Sequence, residues 1–178
     1  SDPHALFSNY INDMALDQDG RLWIATEKAL HVYNPRTDNF EAYLPGNNNR
    51  VAAIAVDQQN NLILALDSGI GVMPPVRDRI VPLTVRLLAH GEPVSVQAAF
   101  VDRDNTIWLG TKGAGAAIFD LEKKQFRFFR RYSNNPATII SDNIIAINQD
   151  LQGNLWFGAY SGGLSRLGPG ATAFKNYR

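Results

Sequence analysis

Three histidines, His4, His31 and His90, are the chain's only imidazoles. A catalytic histidine needs an orienting partner and a group to act on. None of the three has a second His or a carboxylate at a recurring metal-ligand spacing. No catalytic residue, no metal ligand and no cofactor are therefore expected. Asp17-Gln18-Asp19-Gly20 opens like a calcium loop. Such a loop continues with oxygen ligands to a closing Glu, and Lys28 stands at that place. The absence of cysteine removes disulfides and thiolate chemistry. Lys123, Lys124, Arg127, Arg130 and Arg131 interleave with Phe126, Phe128, Phe129 and Tyr132, a pattern that superficially suggests nucleic-acid binding. An outer β-strand with aromatics turned inward and cations in solvent produces the same alternation. Lys plus Arg (17) balance Asp plus Glu (17), so long-range attraction to phosphate backbones or anionic membranes is weak. A nucleic-acid partner is not expected. No stretch reaches the roughly 20 apolar residues needed to span a bilayer, and residues 1–10 lack the pattern of a signal peptide.

The elements that position these residues follow from an internal repeat. Asp17-Gln-Asp-Gly20-Arg-Leu-Trp23-Ile-Ala-Thr26 returns as Asp102-Arg-Asp-Asn105-Thr-Ile-Trp108-Leu-Gly-Thr111 and as Asp150-Leu-Gln-Gly153-Asn-Leu-Trp156-Phe-Gly-Ala159. A degenerate copy, Asp57-Gln-Gln-Asn60-Asn-Leu-Ile63-Leu-Ala-Leu66, keeps the register. The marker aspartates are 40, 45 and 48 residues apart, the period of propeller blades or helical arrays. Turn chemistry decides between them. An Asp carboxylate accepts from nearby backbone N–H groups at the start of a turn. Gly and Asn enter the left-handed region at least cost. Structural turns are therefore expected at Asp17/Gly20, Asp57/Asn60, Asp102/Asn105 and Asp150/Gly153.

Before each turn, alternation of larger and small residues predicts an innermost strand: Met14 and Leu16, Ile54 and Val56, Ala99 and Val101, with Gln149 breaking the pattern beside Ile147. After each turn, a continuous apolar run predicts a strand buried between neighbouring sheets. Trp23, Ile63, Trp108 and Trp156 share one position in it, and packing in the blade core is expected of them rather than stacking on a ligand. A third strand ends near Tyr33, Met73, Phe119 or Leu167, and a fourth carries Phe40, Ile80, Phe126 or Phe174. The fold class expected is all-β, with four consecutive four-stranded antiparallel blades of a β-propeller. The blades are expected near residues 7–46, 47–88, 89–133 and 134–178, with residues 1–6 a tag or tail. An open propeller exposes sheet faces and edges. Closure as a tight four-blade ring, pairing of two chains in one eight-blade ring, and membership in a larger ring are the alternatives; the last two are preferred.

Asn143-Ile-Ile-Ala-Ile-Asn-Gln-Asp150, followed by Gly153-Asn-Leu-Trp156-Phe-Gly158 and Gly162-Gly-Leu164, resembles the two-component-regulator propeller repeat. Tyr132 to Asn143 is similar to the linker between blades of that family. The resemblance extends from about Phe7 to Arg178 and is poorest in the second copy. It implies an extracytoplasmic, periplasmic sensor region of a hybrid histidine kinase or membrane-bound diguanylate cyclase. Such a segment is non-catalytic and binds a small molecule or oligosaccharide, with remaining blades or self-association completing the propeller.

Ligand contacts are expected from loops. The loops between second and third strands supply Glu27, Lys28, Asp67, Ser68, Lys112, Tyr160 and Ser161 as surface candidates. Two other readings compete. Streptogramin lyases are propellers with a similar Asp-x-x-Gly-x-x-Trp turn, which would make the chain an enzyme using a His and a metal. A protein-interaction scaffold would associate without any ligand.

Overall fold

The computed structural model describes residues 5–43, 50–67, 69–76, 81–82, 88–89 and 91–178. The chain divides into two compact units, one up to residue 84 and one from residue 85. Among the described residues all regular structure is β-strand.

The first unit holds two antiparallel sheets whose strands follow chain order. One comprises β1 (Ile11–Leu16), β2 (Leu22–Thr26), β3 (Leu30–Asn34) and β4 (Asn39–Tyr43). The other comprises β5 (Val51–Val56), β6 (Leu62–Leu66), β7 (Gly69–Met73) and the two-residue β8 (Val81–Pro82). The second unit opens with a short ladder that the sequence did not suggest, β9 (Leu88–Ala89) with β10 (Glu92–Pro93). Two further sheets follow. The third sheet contains β11 (Ser95–Val101), β12 (Ile107–Lys112), β13 (Ala116–Asp120) and β14 (Gln125–Phe129). The fourth contains β15 (Ile144–Gln149), β16 (Leu155–Ala159), β17 (Leu164–Leu167) and β18 (Phe174–Tyr177). Within each unit the first strands of successive sheets lie together, β1 with β5 and β11 with β15, as blades converge on an axis. The expected fourth-strand residue Ile80 lies outside the described residues.

All four β1–β2-type hairpins close in one way. The N–H of Gly20, Asn60, Asn105 and Gly153 donates to the carbonyl of Asp17, Asp57, Asp102 and Asp150, each at 3.0 Å. The four residues have φ of 78°, 61°, 61° and 82°, in the left-handed region that Gly and Asn tolerate best. One carboxylate oxygen of each aspartate accepts the backbone N–H groups two and four residues on, such as Asp104 (3.0 Å) and Thr106 (2.8 Å) on Asp102. The other oxygen accepts a side-chain N–H. In three copies this is an indole N–H: Trp23 on Asp17 (2.9 Å), Trp108 on Asp102 (2.8 Å) and Trp156 on Asp150 (2.9 Å). In the second copy, where Ile63 replaces the indole, Asn61 Nδ2 donates to Asp57 instead (2.8 Å).

Trp23 and Ile63 are fully buried and Trp108 nearly so, whereas Trp156 is half-buried. Each tryptophan meets an aromatic of its own fourth strand: Tyr43 at 5.3 Å, Phe129 at 5.4 Å and Tyr177 at 5.7 Å between centroids. The first unit's core joins Trp23, Leu30 and Val32 to Ile54, Leu62, Leu64 and Met73. The second unit's core joins Trp108 and Ala116 to Ile144, Leu155, Phe157, Leu167 and Phe174.

The inner strands depart from simple alternation at one shared place. Their ladders slip between Ile11 and Asp13, Val51 and Ala53, Val96 and Ala98, and Ile144 and Ala146. Each slip is a β-bulge five residues before the marker Asp. Gln149, which breaks the apolar pattern, is explained by its contacts. Its Oε1 accepts the N–H of Arg103 from the preceding sheet (3.0 Å), and its Nε2 donates to the Gly153 carbonyl (3.2 Å).

Candidate ligand-binding surface

The loops between second and third strands are held by their own chemistry. Thr26 Oγ1 donates to the Ala29 carbonyl (2.9 Å) and accepts the N–H of Ala29 (3.0 Å) and of Lys28 (3.2 Å). Thr111 Oγ1 donates to the Gly115 carbonyl (2.7 Å) and accepts the Ala114 N–H (3.1 Å). The connection between third and fourth sheets braces the same loop, because Gly113 and Gly115 N–H both donate to the Asp142 carbonyl (2.8 and 2.9 Å). The side chains carried by these loops therefore project from fixed backbone.

Two clusters result, one in each unit. In the first unit, Arg50 joins two of the sequence-predicted residues: its Nε lies 2.9 Å from Glu27 Oε1 and its Nη1 3.7 Å from Asp67 Oδ1. Partly exposed ion pairs of this kind contribute little stability, about 0–1 kcal/mol each. Their effect is to place two carboxylates and a guanidinium side by side. Lys28 is exposed beside them. Tyr10, three-quarters exposed, accepts the Glu27 N–H on its carbonyl (3.3 Å). Ser68 lies outside the described residues.

In the second unit, Lys112 and Tyr160 flank Asn143. Lys112 bridges to Asn143 through an isolated antiparallel pair, and the Tyr160 N–H donates to the Asn143 carbonyl (3.0 Å). Lys112, Asn143, Tyr160 and Ser161 are all exposed, Tyr160 by 77%. Backbone pairing thus brings residues that carry a phenol, an amide and an ammonium to one end of the sheet, with the Ser161 hydroxyl next along the chain. Sequence reasoning named Lys112, Tyr160 and Ser161 but missed Asn143, Tyr10 and Arg50. The missed residues stand at or just before the inner strands. The register between connection and loop could have flagged them, since both flank the same hairpin end.

The opposite, turn-bearing end of the second unit carries a cleft of about 630 Å³, also missed from the sequence. Trp108, Ile118, Leu155 and Leu167 line it together with Arg103 and Arg127. The Arg127 guanidinium lies 4.9 Å from the Phe129 ring centroid.

His31 is fully buried on β3. Its Nε2 accepts the Phe7 N–H (3.1 Å), and the Phe7 ring stands edge-on to it at 5.1 Å. Burial holds the imidazole pKa below its ordinary value. An accepting Nε2 requires the neutral Nδ1–H tautomer. Desolvation likewise raises the Asp13 carboxyl, although the Ile54 and Met14 N–H groups that it accepts oppose the shift. The indole N–H of Trp156 lowers Asp150 below the usual carboxylate range. His4 and His90 lie outside the described residues. Among the described residues no group of three His, Asp or Glu side chains gathers as metal ligands would. Among the described residues, no helix is long and apolar enough to cross a membrane.

Residues 5–28 match the model of the two component regulator propeller family. No curated protein matches the chain. Among solved structures, it resembles the extracellular domain of the putative hybrid two component system BT3049 from B. thetaiotaomicron, at TM-score 0.76 and 21% identity over 100% of this chain. It resembles that of the hybrid system BT4673 from the same organism equally well, at TM-score 0.76 and 18% identity over 97% of this chain. The chain spans 23% and 22% of those two chains, respectively. Catalytically inactive virginiamycin B lyase from Staphylococcus aureus is also similar, at TM-score 0.70 and 16% identity over 94% of this chain and 55% of the lyase. With these likenesses beside its four sheets and their Asp turns, the chain is an all-β propeller segment whose residues 5–28 match the two component regulator propeller repeat.

Proposed function

We propose that this chain is part of the signal-input region of a bacterial two-component or related membrane receptor. It acts outside the cytoplasm, in the periplasm, without catalysing a reaction itself. The observation that carries the reading is the match of residues 5–28 to the two component regulator propeller repeat. The fold shared with extracellular domains of two hybrid two component systems supports it. The remaining blades of the propeller, and a kinase or cyclase output domain, lie elsewhere in such a receptor.

Within this reading the ligand is a small molecule or oligosaccharide held at the loop end by Tyr160, Lys112 and Ser161. A sugar ring stacks on the exposed tyrosine while its hydroxyls bond to the polar groups around it. Binding to the folded state alone raises the melting temperature by mass action. A panel of oligosaccharides is therefore expected to contain at least one that stabilises the protein, with the shift lost in Tyr160→Ala. A shift that survives both Tyr160→Ala and Lys112→Ala would move the site away from this end. The lyase reading has less support, because the one histidine among the described residues is buried with Nε2 already bonded. Turnover of a streptogramin that stops on adding a chelator would restore it.

A further inference from the structure

Two of the four sheets hold the chain that enters them by a side chain of the third strand. In the fourth sheet, Ser165 Oγ accepts the Ile140 N–H (2.9 Å), four residues ahead of Ile144, where β15 begins. In the first, His31 Nε2 accepts the Phe7 N–H (3.1 Å), four residues ahead of Ile11, where β1 begins. The surroundings correspond as well. Phe157 pairs with Ser165 across the strands, and Ile24 pairs with His31. Ser141 Oγ accepts the Asn143 N–H and Ser8 Oγ that of Tyr10, both at 3.1 Å. The Asn143 and Tyr10 carbonyls then accept the N–H of Tyr160 (3.0 Å) and of Glu27 (3.3 Å). In the second and third sheets the same third-strand position is Gly71 or Ala117, neither of which has a side-chain acceptor. Because the geometry at Phe7 repeats at Ile140, where the third sheet precedes it in the chain, it belongs to the blade and not to the open side of the first sheet.

The two latches differ in chemistry. Ser165 is fully buried, and its hydroxyl both accepts from Ile140 and donates to Asn176 Oδ1 (2.6 Å). Asn176 in turn donates to the Pro136 and Thr138 carbonyls (3.0 and 2.9 Å). No group in that series titrates near neutral pH. His31 is also fully buried, but Ala42 stands across from it where Asn176 stands across from Ser165. Its Nδ1 is shielded from solvent and has no hydrogen-bond partner. β1, β2 and β4 turn only uncharged side chains, among them Met14, Ile24 and Ala42, to the face that holds His31. Tyr33, the other titratable residue of β3 on that face, gives its hydroxyl to Asp38 Oδ1 (2.9 Å). The entering segment contributes Tyr10, which is exposed. Among the described residues no carboxylate reaches the imidazole, and burial already disfavours its charged form.

An imidazolium donates from both nitrogens, so a protonated Nε2 no longer accepts the Phe7 N–H. A buried cation without an acceptor is costly until the covering segment moves and admits water. We infer that His31 is a pH-sensitive latch: acid releases the segment from Phe7 to Tyr10, while Ser165 keeps its hold on Ile140. The latch is closed above the ordinary histidine range and opens as pH falls through that range. Its release reaches the surface cluster of the first unit, because the Tyr10 carbonyl braces Glu27, whose carboxylate holds Arg50 at 2.9 Å. The device goes beyond the sensing role and operates whether or not that cluster meets a ligand.

Amide hydrogen exchange of the whole chain, read residue by residue by NMR from about pH 7.5 to about pH 5, tests the latch. Protection relative to intrinsic rates is expected to fall at Phe7 and Glu27, by up to about tenfold per pH unit below roughly 6.5. At Ile140 and Tyr160 it is expected to hold. The Phe7 amide shift is expected to titrate with the same midpoint as the His31 ring protons. His31→Gln keeps a side-chain acceptor that does not titrate, and it is expected to flatten the pH profile at Phe7 without moving that at Ile140. Should circular dichroism show that this variant does not fold, the shared midpoint in the unsubstituted protein decides. Phe7 protection that stays constant across the range, that falls in step with Ile140, or that keeps its pH dependence in folded His31→Gln overturns the latch. A Phe7 shift that titrates apart from the His31 ring overturns it as well.

Discussion

Asp102 is nearly buried and accepts hydrogen bonds from Asp104, Thr106 and the Trp108 indole. Asp17 does the same for Asp19, Arg21 and Trp23. Removing such an acceptor strands buried donors, at about 1–3 kcal/mol for each one left unsatisfied. Asp102→Ala is therefore expected to lower stability by about 2–4 kcal/mol, read as a fall in the urea midpoint at unchanged slope. Trp108→Phe is expected to cost less, because the carboxylate keeps its backbone partners. His31 supplies a pH dependence. Its folded pKa lies below its ordinary value, so the unfolded chain binds the proton first. The stability it supports is present above the ordinary histidine range and is lost as pH falls through that range toward the folded pKa. Protection of the Phe7 amide against hydrogen exchange, taken relative to its intrinsic rate, is expected to fall as pH drops below about 6.5, an effect absent in His31→Phe. The turn aspartates were legible in the sequence because spacing and turn chemistry repeat four times. Their bonds to the indoles were not, since only the folded hairpin brings a side chain six residues on back over the carboxylate.

At the scale of elements, the third strand of a blade begins tight against the end of the fourth. A Cβ on Gly115 would sit 2.0 Å from the Phe129 carbonyl oxygen, and one on Gly163 would sit 2.1 Å from that of Tyr177. Both glycines also have positive φ, 77° and 106°. Gly113, with φ of 93°, has open space where its Cβ would be. Gly115→Ala and Gly163→Ala are thus expected to cost about 3–5 kcal/mol by backbone displacement. Gly113→Ala should cost only the conformational penalty of about 1–2 kcal/mol. Parallel thermal denaturation of the three variants separates the two effects. The strands themselves were readable from alternation, apolar runs and turns. The four bulges were not, because an unpaired residue in an inner strand leaves no mark on composition. One consequence shows at Asn12, in the first bulge: its Nδ2 donates to the Val51 carbonyl of the next sheet (2.8 Å).

On the whole-molecule scale, the chain holds two compact units, each with a core of its own. Trp23 lies in the first, and Trp108 and Trp156 lie in the second. Unfolding followed by indole fluorescence is expected to show different midpoints for a variant retaining only Trp23 and one retaining only Trp108. Coincident midpoints, after allowance for the substitutions themselves, would show that the units unfold as one cooperative body. The candidate site divides in the same way. Glu27 and Asp67 meet through Arg50 in the first unit, and Lys112 and Tyr160 meet around Asn143 in the second.

By itself the sequence determined the blade repeat, the residues that make each turn and the position of the tryptophans. These are local or periodic properties: a left-handed turn residue, a two-residue alternation and a fixed spacing act wherever they occur along the chain. Tertiary structure alone decided that Arg50 draws two carboxylates together, that Phe7 closes over His31, and that Trp156 stays half-open while Trp23 and Trp108 are covered. Identical residue types at one repeat position differ in burial because burial depends on which sheet lies against them, and no local pattern encodes that neighbour.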